Sequence, residues 1–203
     1  MFRTTFSGEE ACGGGRRQCY NAAMSRKIAL LRAVNVGGTG MISSAELKAF
    51  FVGLDFDDAV TLLNSGNVVF SSPGRAGAAL EKHLHDEAAK RLKLDTDFIV
   101  RDAKEWRSLI ADNPFAKEAK SDPARLIVMA LTGEPEKSAI AALQKAIPGR
   151  ERIALHGKEL YIVYPDGQGG SRLHAPLINR HLGVRGTARN WNTARKLLAL
   201  VER

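Results

Sequence analysis

The chain has 203 residues, 44% of them apolar and 26% charged, with 30 Lys and Arg against 22 Asp and Glu for a net charge of +8. No apolar run approaches the ~18 residues of a membrane span, and there is neither a collagen-type glycine period nor a sustained heptad. These features exclude membrane-spanning, collagen-like, coiled-coil and wholly disordered chains, and a chain this long buries roughly 70% of its unfolded surface without a disulfide or structural metal.

Residues 1–23 contain Gly8, Gly13, Gly14 and Gly15, scattered charges and no apolar period. Such a segment cannot offset its ordering entropy. It is read as a disordered tail or an extension upstream of a natural start at Met24, and it lacks the apolar core of a secretory signal. Cys12 and Cys19 both fall here, so the remaining chain has neither a disulfide framework nor a thiolate metal site, a usage that fits the cytoplasm.

Ile28–Val36 is a short apolar run interrupted by Arg32 and Asn35, and reads as a buried strand broken by Gly37, Gly38 and Gly40. Ser43 and Glu46 have capping-box spacing, with Leu47, Phe50, Phe51 and Leu54 following at helical intervals. Residues 59–63 and 67–71 read as strands around the turn Asn64-Ser65-Gly66. Leu80, Leu84, Ala88 and Leu92 mark a helix over 76–92, followed by a strand at 97–100 and a short helix at 103–111. The order then recurs: strand 125–132, helix 137–147, hairpin strands 152–155 and 159–164, helix 172–182, strand 187–191 and helix 193–201. The expected fold class is α+β, two ferredoxin-like (βαββαβ, α/β plait) halves packed together. The halves span 24–112 and 124–203, with 113–123, which contains Pro114 and Pro123, as linker.

Residues 171–203 carry seven basic residues against Glu202 alone, so most of the positive excess lies at one end of the sequence. A basic face of this kind attracts anions, and arginine offers phosphate or carboxylate a planar fork. A solvated face and a protein-partner face are the competing readings.

Three segments resemble the bacterial family named domain of unknown function 1697. They are Leu30–Gly38 with Ala45-Glu46-Leu47, Leu63–Phe70, and Ser171-Arg172-Leu173 leading to Thr187–Thr193 and Lys196-Leu197. The resemblance spans residues 27–201 and implies an α/β plait built from ferredoxin-like halves. It implies no activity. The chain departs from the family pattern at Ala33, where Gly is frequent, at Met41 and Gly170, where basic residues are frequent, and at Arg172, where Lys is usual.

Candidate ligand-binding residues are Arg32, Asn35, Gly37, Gly38, Asn64, Ser65, Asn67, Arg172, Arg189, Asn190, Trp191 and Asn192. A glycine-rich turn before a capped helix exposes amides to an anion, although neither phosphate-loop signature is present and two glycines with a cap more often make a plain strand-to-helix turn. Arg32 within an apolar strand needs a carboxylate partner or a strand end where a ligand sits. Asn64–Asn67 is either a polar rim or a simple hairpin turn. Trp191 is either core or a stacking surface, and Asn192 or Thr193 is the expected N-cap of the final helix. No catalytic set is visible, the five His residues have no metal spacing, and no cofactor is implied. The functional expectation is a cytoplasmic monomer binding an anionic small molecule, a nucleotide or sugar phosphate, in a basic cleft between the halves, with Arg32 and Arg189 converging on it. Weak nucleic-acid binding and a small phosphate-handling enzyme are the alternatives, and no membrane partner is expected.

Overall fold

In a computed structural model, residues 25–36, 40–74 and 76–203 are described. The expectations for residues 1–23, and those for Gly37 and Gly38, lie outside them.

The first half runs β1 (Ser25–Leu31), α1 (Ser44–Val52), β2 (Val60–Thr61), β3 (Asn67–Ser72), α2 (Gly77–Leu92), β4 (Phe98–Asp102) and α3 (Ala103–Ala111). The second runs β5 (Leu126–Leu131), α5 (Lys137–Ala146), β6 (Arg152–His156), β7 (Glu159–Val163), α6 (Ala175–Leu182), β8 (Gly186–Asn190) and α7 (Trp191–Val201). Between them lie α4 (Ala116–Ser121) and a 3-10 turn at Pro123–Arg125, where the sequence suggested only a linker. The protein is mixed α/β, with two four-stranded antiparallel sheets ordered β2-β3-β1-β4 and β6-β7-β5-β8. Among the described residues no helix is long and apolar enough to cross a membrane.

The central strands β1 and β5 are covered on both faces, which is why their sequences are almost continuously apolar. Alternate residues of the first sheet point to two cores. Ala29, Leu31, Val68, Phe70, Phe98 and Val100 pack under α1 and α2, while Ile28, Leu30, Val69 and Ile99 face the other way. That second set joins Val128, Ala130, Tyr161 and Val163 of the other sheet around Trp106 of α3 and Trp191 of α7. Ile127, Met129, Leu131, Leu160 and Ile162 pack under α5 and α6. Trp106 donates its indole N–H to the Ala194 carbonyl at 2.9 Å, so the inner helices are tied by a buried hydrogen bond.

Several element ends differ from the sequence reading. β1 stops at Leu31 because Ala33 and Asn35 adopt left-handed backbone (φ 54° and 56°) and turn Val34 back into the core. β2 shrinks to two residues: before it Asp58 takes the edge, accepting from the Ser71 amide at 2.7 Å and hydroxyl at 2.6 Å, and after it Leu63 turns left-handed (φ 59°). α6 begins at Ala175 behind an N-cap at His174, leaving Arg172 in the preceding bend. α7 begins at Trp191 and is capped by Asn190, whose Oδ1 accepts from the Asn192 amide; neither Asn192 nor Thr193 is the cap.

The two halves correspond residue by residue in hydrogen-bond register. Leu30 faces Asn67 as Ala130 faces Glu159, and Ile28 faces Arg101 as Val128 faces Arg189. Beyond the ladders, the Leu31 and Leu131 amides donate to the Gly66 and Lys158 carbonyls, and the Arg32 and Thr132 amides to the Asp97 and Arg185 carbonyls. β4 and β8 each run straight into a helix, α3 and α7, capped by their last residues Asp102 and Asn190.

Candidate functional site

The register sets up two reciprocal contacts between the halves. Arg101 leaves β4, donating from Nε to Glu159 Oε1 at 2.7 Å and from Nη2 to the Leu131 carbonyl at 2.8 Å. Arg189 leaves β8, donating from Nε to Asn67 Oδ1 and from Nη2 to the Leu31 carbonyl at 3.0 Å. Both guanidinium groups are buried. The partners differ in charge. Arg101 meets a carboxylate, whereas among the described residues Arg189 has none in ion-pair range and relies on the carbonyls of Leu31, Ser65, Gly66 and Ala188, Thr187 Oγ1 and Asn67. Burial lowers the Arg189 pKa to about 10. Even so it keeps its charge at neutral pH.

The expected site residues fall into separate groups. Asn35, Asn64, Ser65, Asn67 and Arg189 form a hydrogen-bonded network where the loop after β1 meets the β2–β3 turn. Asn35 Nδ2 donates to the Asn64 carbonyl at 2.6 Å and the Ile42 carbonyl at 2.9 Å, and its Oδ1 accepts from the Ile42 amide. Asn64 Oδ1 accepts from the Ser44 hydroxyl, and Asn67 Nδ2 donates to Ser65 Oγ at 2.8 Å and the Leu62 carbonyl at 2.7 Å. Asn67 and Arg189 are enclosed, and the side-chain amides expected to greet a ligand instead hold the chain together. Trp191 is core, its ring 6.4 Å from that of Tyr161, and Asn190 also ties Ala124 through Nδ2. Asn192 is exposed.

Arg32 is where a strand end meets a cavity. Its half-exposed guanidinium lies 3.5 Å from Asp97 and lines a cavity of about 560 Å³ between the halves. Arg185 lines the same cavity and lies 3.1 Å from the other oxygen of Asp97. Lys82, His85, Thr132, Glu81, Asp95 and Thr96 complete the polar lining. His85 Nδ1 lies 2.9 Å from the Thr96 carbonyl, which fixes that nitrogen as an N–H, and Nε2 lies 4.0 Å from Asp95.

Arg189 does not line this cavity. It is bonded to the carbonyl of Leu31, one residue before Arg32, and so lies behind the site. Arg172 is exposed beside a different hollow of about 230 Å³, and Arg195 borders a third. The positive charge concentrated at the end of the sequence is thus divided in space. Arg185 was missed as an individual residue although its basic segment was noted. Asp97, Lys82 and His85 gave no signal, because only tertiary packing brings them to the strand end.

Tyr161, Tyr164 and Phe70, the aromatics weighed as a stacking platform, are buried. Among the described residues no cluster of His, Cys, Asp and Glu has metal-binding proximity.

Residues 24–161 match the family described as protein of unknown function, DUF1697, a span that ends before the third motif. No curated protein matches the chain. The fold is similar to that of the conserved bacterial protein SP0830 from Streptococcus pneumoniae, with 20% identity, a TM-score of 0.69, and coverage of 88% of this chain and 99% of that one.

Proposed function

The chain belongs to the DUF1697 family, and we propose that it binds a small phosphate-bearing ligand in the cavity between Arg32 and Arg185. One observation carries this reading: two guanidinium groups, one from each half, share the single carboxylate of Asp97 at 3.5 Å and 3.1 Å. Two planar forks meet one carboxylate there, a geometry that can grip phosphate, while over the whole lining Arg32, Lys82 and Arg185 are matched by Glu81, Asp95 and Asp97. Lys82, ion-paired to Asp86 at 2.6 Å, lines the same cavity, and the buried charge of Arg189 behind Leu31 adds to the positive field.

The lining also favours one kind of anion over another. Glu81 and Asp95 stand in the same cavity as the cations. Carboxylates accept hydrogen bonds from hydroxyls and repel successive phosphates. A sugar phosphate or mononucleotide, with one anionic end and several hydroxyls, suits this lining better than a nucleic-acid backbone. The buried sheet aromatics point the same way, since base stacking needs exposed rings.

We read each half as a ferredoxin-like unit, supported by the strand orders β2-β3-β1-β4 and β6-β7-β5-β8 and by the βαββαβ succession within each half.

The test is a thermal-shift and calorimetric series on the full chain with inorganic phosphate, glucose 6-phosphate, AMP and a short oligonucleotide at low and high salt. Binding of a sugar phosphate or AMP that persists at high salt and is lost in Arg32→Ala and Arg185→Ala supports the reading. Binding of the oligonucleotide alone, collapsing with salt, overturns it.

A further inference from the structure

The two inter-half contacts have the same framework but different chemistry at their second atoms. Asn67 presents Oδ1 to Arg189, and its other polar atom, Nδ2, is satisfied by the Leu62 carbonyl and Ser65 Oγ. Glu159 presents Oε1 to Arg101, and its other oxygen, Oε2, is buried with no hydrogen-bond partner among the described residues. The register explains the difference. Gly66 corresponds to Lys158, so Ser65 corresponds to Gly157, which has no hydroxyl to offer and open space around its Cβ position.

Glu159 sits at the edge of a cavity of about 530 Å³ shared by both halves. The charged and titratable groups facing it are Arg101 and Asp102 at the end of β4, Lys104 and Glu105 at the start of α3, Glu134 after β5, and His156 and Lys158 in the β6–β7 turn. Asp102 and Glu105 are engaged with each other's backbone amides in a capping box, and His156 lies 3.7 Å from Asp112. Arg101 is the direct counter-charge, at 2.7 Å. A buried carboxylate tolerates its charge best when both oxygens are solvated or hydrogen-bonded, and here, among the described residues, only Oε1 is.

We propose that the Arg101–Glu159 contact is a proton-operated clasp between the two halves, with Arg189–Asn67 as its proton-insensitive counterpart. Burial, opposed by Arg101, raises the Glu159 carboxyl to about 7. On protonation the carboxyl becomes neutral and Arg101 loses its counter-charge. Leaving His156 aside, the cavity lining then changes from three cations against four carboxylates to an equal number of each. The amide of Asn67 undergoes no such change, so proton uptake acts on one side of the inter-half contact only.

The direction follows from linkage. The folded form binds the Glu159 proton more tightly than the unfolded chain does, so this group favours folding most below its unfolded pKa. That contribution falls as pH rises toward the folded value and is gone above it. The full chain, labelled for carboxyl-carbon NMR, is titrated between about pH 4 and pH 9, with the Glu159 signal assigned through its own side chain. A midpoint at or above about pH 6 is expected, and a lower midpoint overturns the proposal. As a second measurement, denaturant unfolding compares wild type with Glu159→Gln. Between about pH 4.5 and pH 7 the wild-type unfolding constant should rise on the order of a hundredfold more than that of the variant. Parallel profiles overturn the clasp. Should Glu159→Gln not fold, the wild-type NMR midpoint alone decides.

Discussion

The Nε of Arg189 donates to Oδ1 of Asn67, joining the last strand of the second sheet to a central part of the first through a buried charge that has no acidic partner among the described residues. A guanidinium in this position is held by dipoles alone, and each of its acceptors would lose a donor if it were removed. Arg189→Ala should therefore destabilise the protein by roughly 3–5 kcal/mol, as expected when one member of a buried polar network is deleted. Arg189→Lys should recover only part of this, because an ammonium has three donors in no fixed fork. Chemical denaturation of the three proteins checks the ranking, and a near-neutral Arg189→Ala would show that the network contributes little.

Gly66 lies in the same region. Its φ is +68°, and a Cβ there would come within 2.7 Å of both Leu31 Cβ and Val34 Cγ2. Left-handed backbone and a clash with two packed side chains act together. Gly66→Ala should cost about 2–4 kcal/mol. Gly157, which corresponds in register to Ser65, also has positive φ but nothing within 4 Å. Gly157→Ala should cost only about 1 kcal/mol, the backbone part alone. Thermal unfolding of the two variants side by side separates strain from steric overlap.

Helix caps offer a smaller and more local prediction. Ser43 Oγ accepts from the Glu46 amide while Glu46 accepts from the Ser43 amide, and Asp102 and Glu105 repeat this arrangement at α3. Ser43→Ala and Asp102→Ala should each lower stability by about 1 kcal/mol. Hydrogen exchange should place the loss in the first turn of α1 or α3.

These local signals were the ones the sequence made legible. The Ser43–Glu46 box, the Leu80–Leu84–Ala88 stripe, the Asn64–Gly66 turn and the 103–111 helix appear in the structure as expected, since each is set by residues a few positions apart. The end of β1 was not legible because Ala33 and Asn35, rather than glycines, take the left-handed conformation, held there by bonds from Asn35 to Ile42 and Asn64. The correspondence of the halves was visible as element order but not as register, because positions such as Asn67 and Glu159, or Arg32 and Thr132, match in backbone pairing and not in residue type. The site was half legible. Arg32 could be singled out as a cation in an apolar strand, whereas Asp97 is brought to it by the pairing of β1 with β4 and Arg185 by the meeting of that strand end with the segment before β8.

The placement of the ligand between Arg32 and Arg185 can be distinguished from a general attraction to basic surface by comparing three substitutions. Arg172 is exposed in a separate hollow and makes no ion pair or side-chain hydrogen bond among the described residues. Arg172→Ala removes as much formal charge as Arg185→Ala but leaves the cavity intact. Calorimetry should show phosphate-ester affinity falling at least about tenfold for Arg185→Ala and by less than about twofold for Arg172→Ala. Equal losses would mean that long-range field, not contact, holds the anion. Asp97→Asn acts in the opposite direction. Its carboxylate now occupies both guanidinium groups, so neutralising it frees them for phosphate and should raise affinity, with a steeper dependence on salt. A loss of affinity in Asp97→Asn would instead show that the carboxylate positions the two arginines for the ligand, so that Asp97 belongs to the binding geometry rather than competing with it.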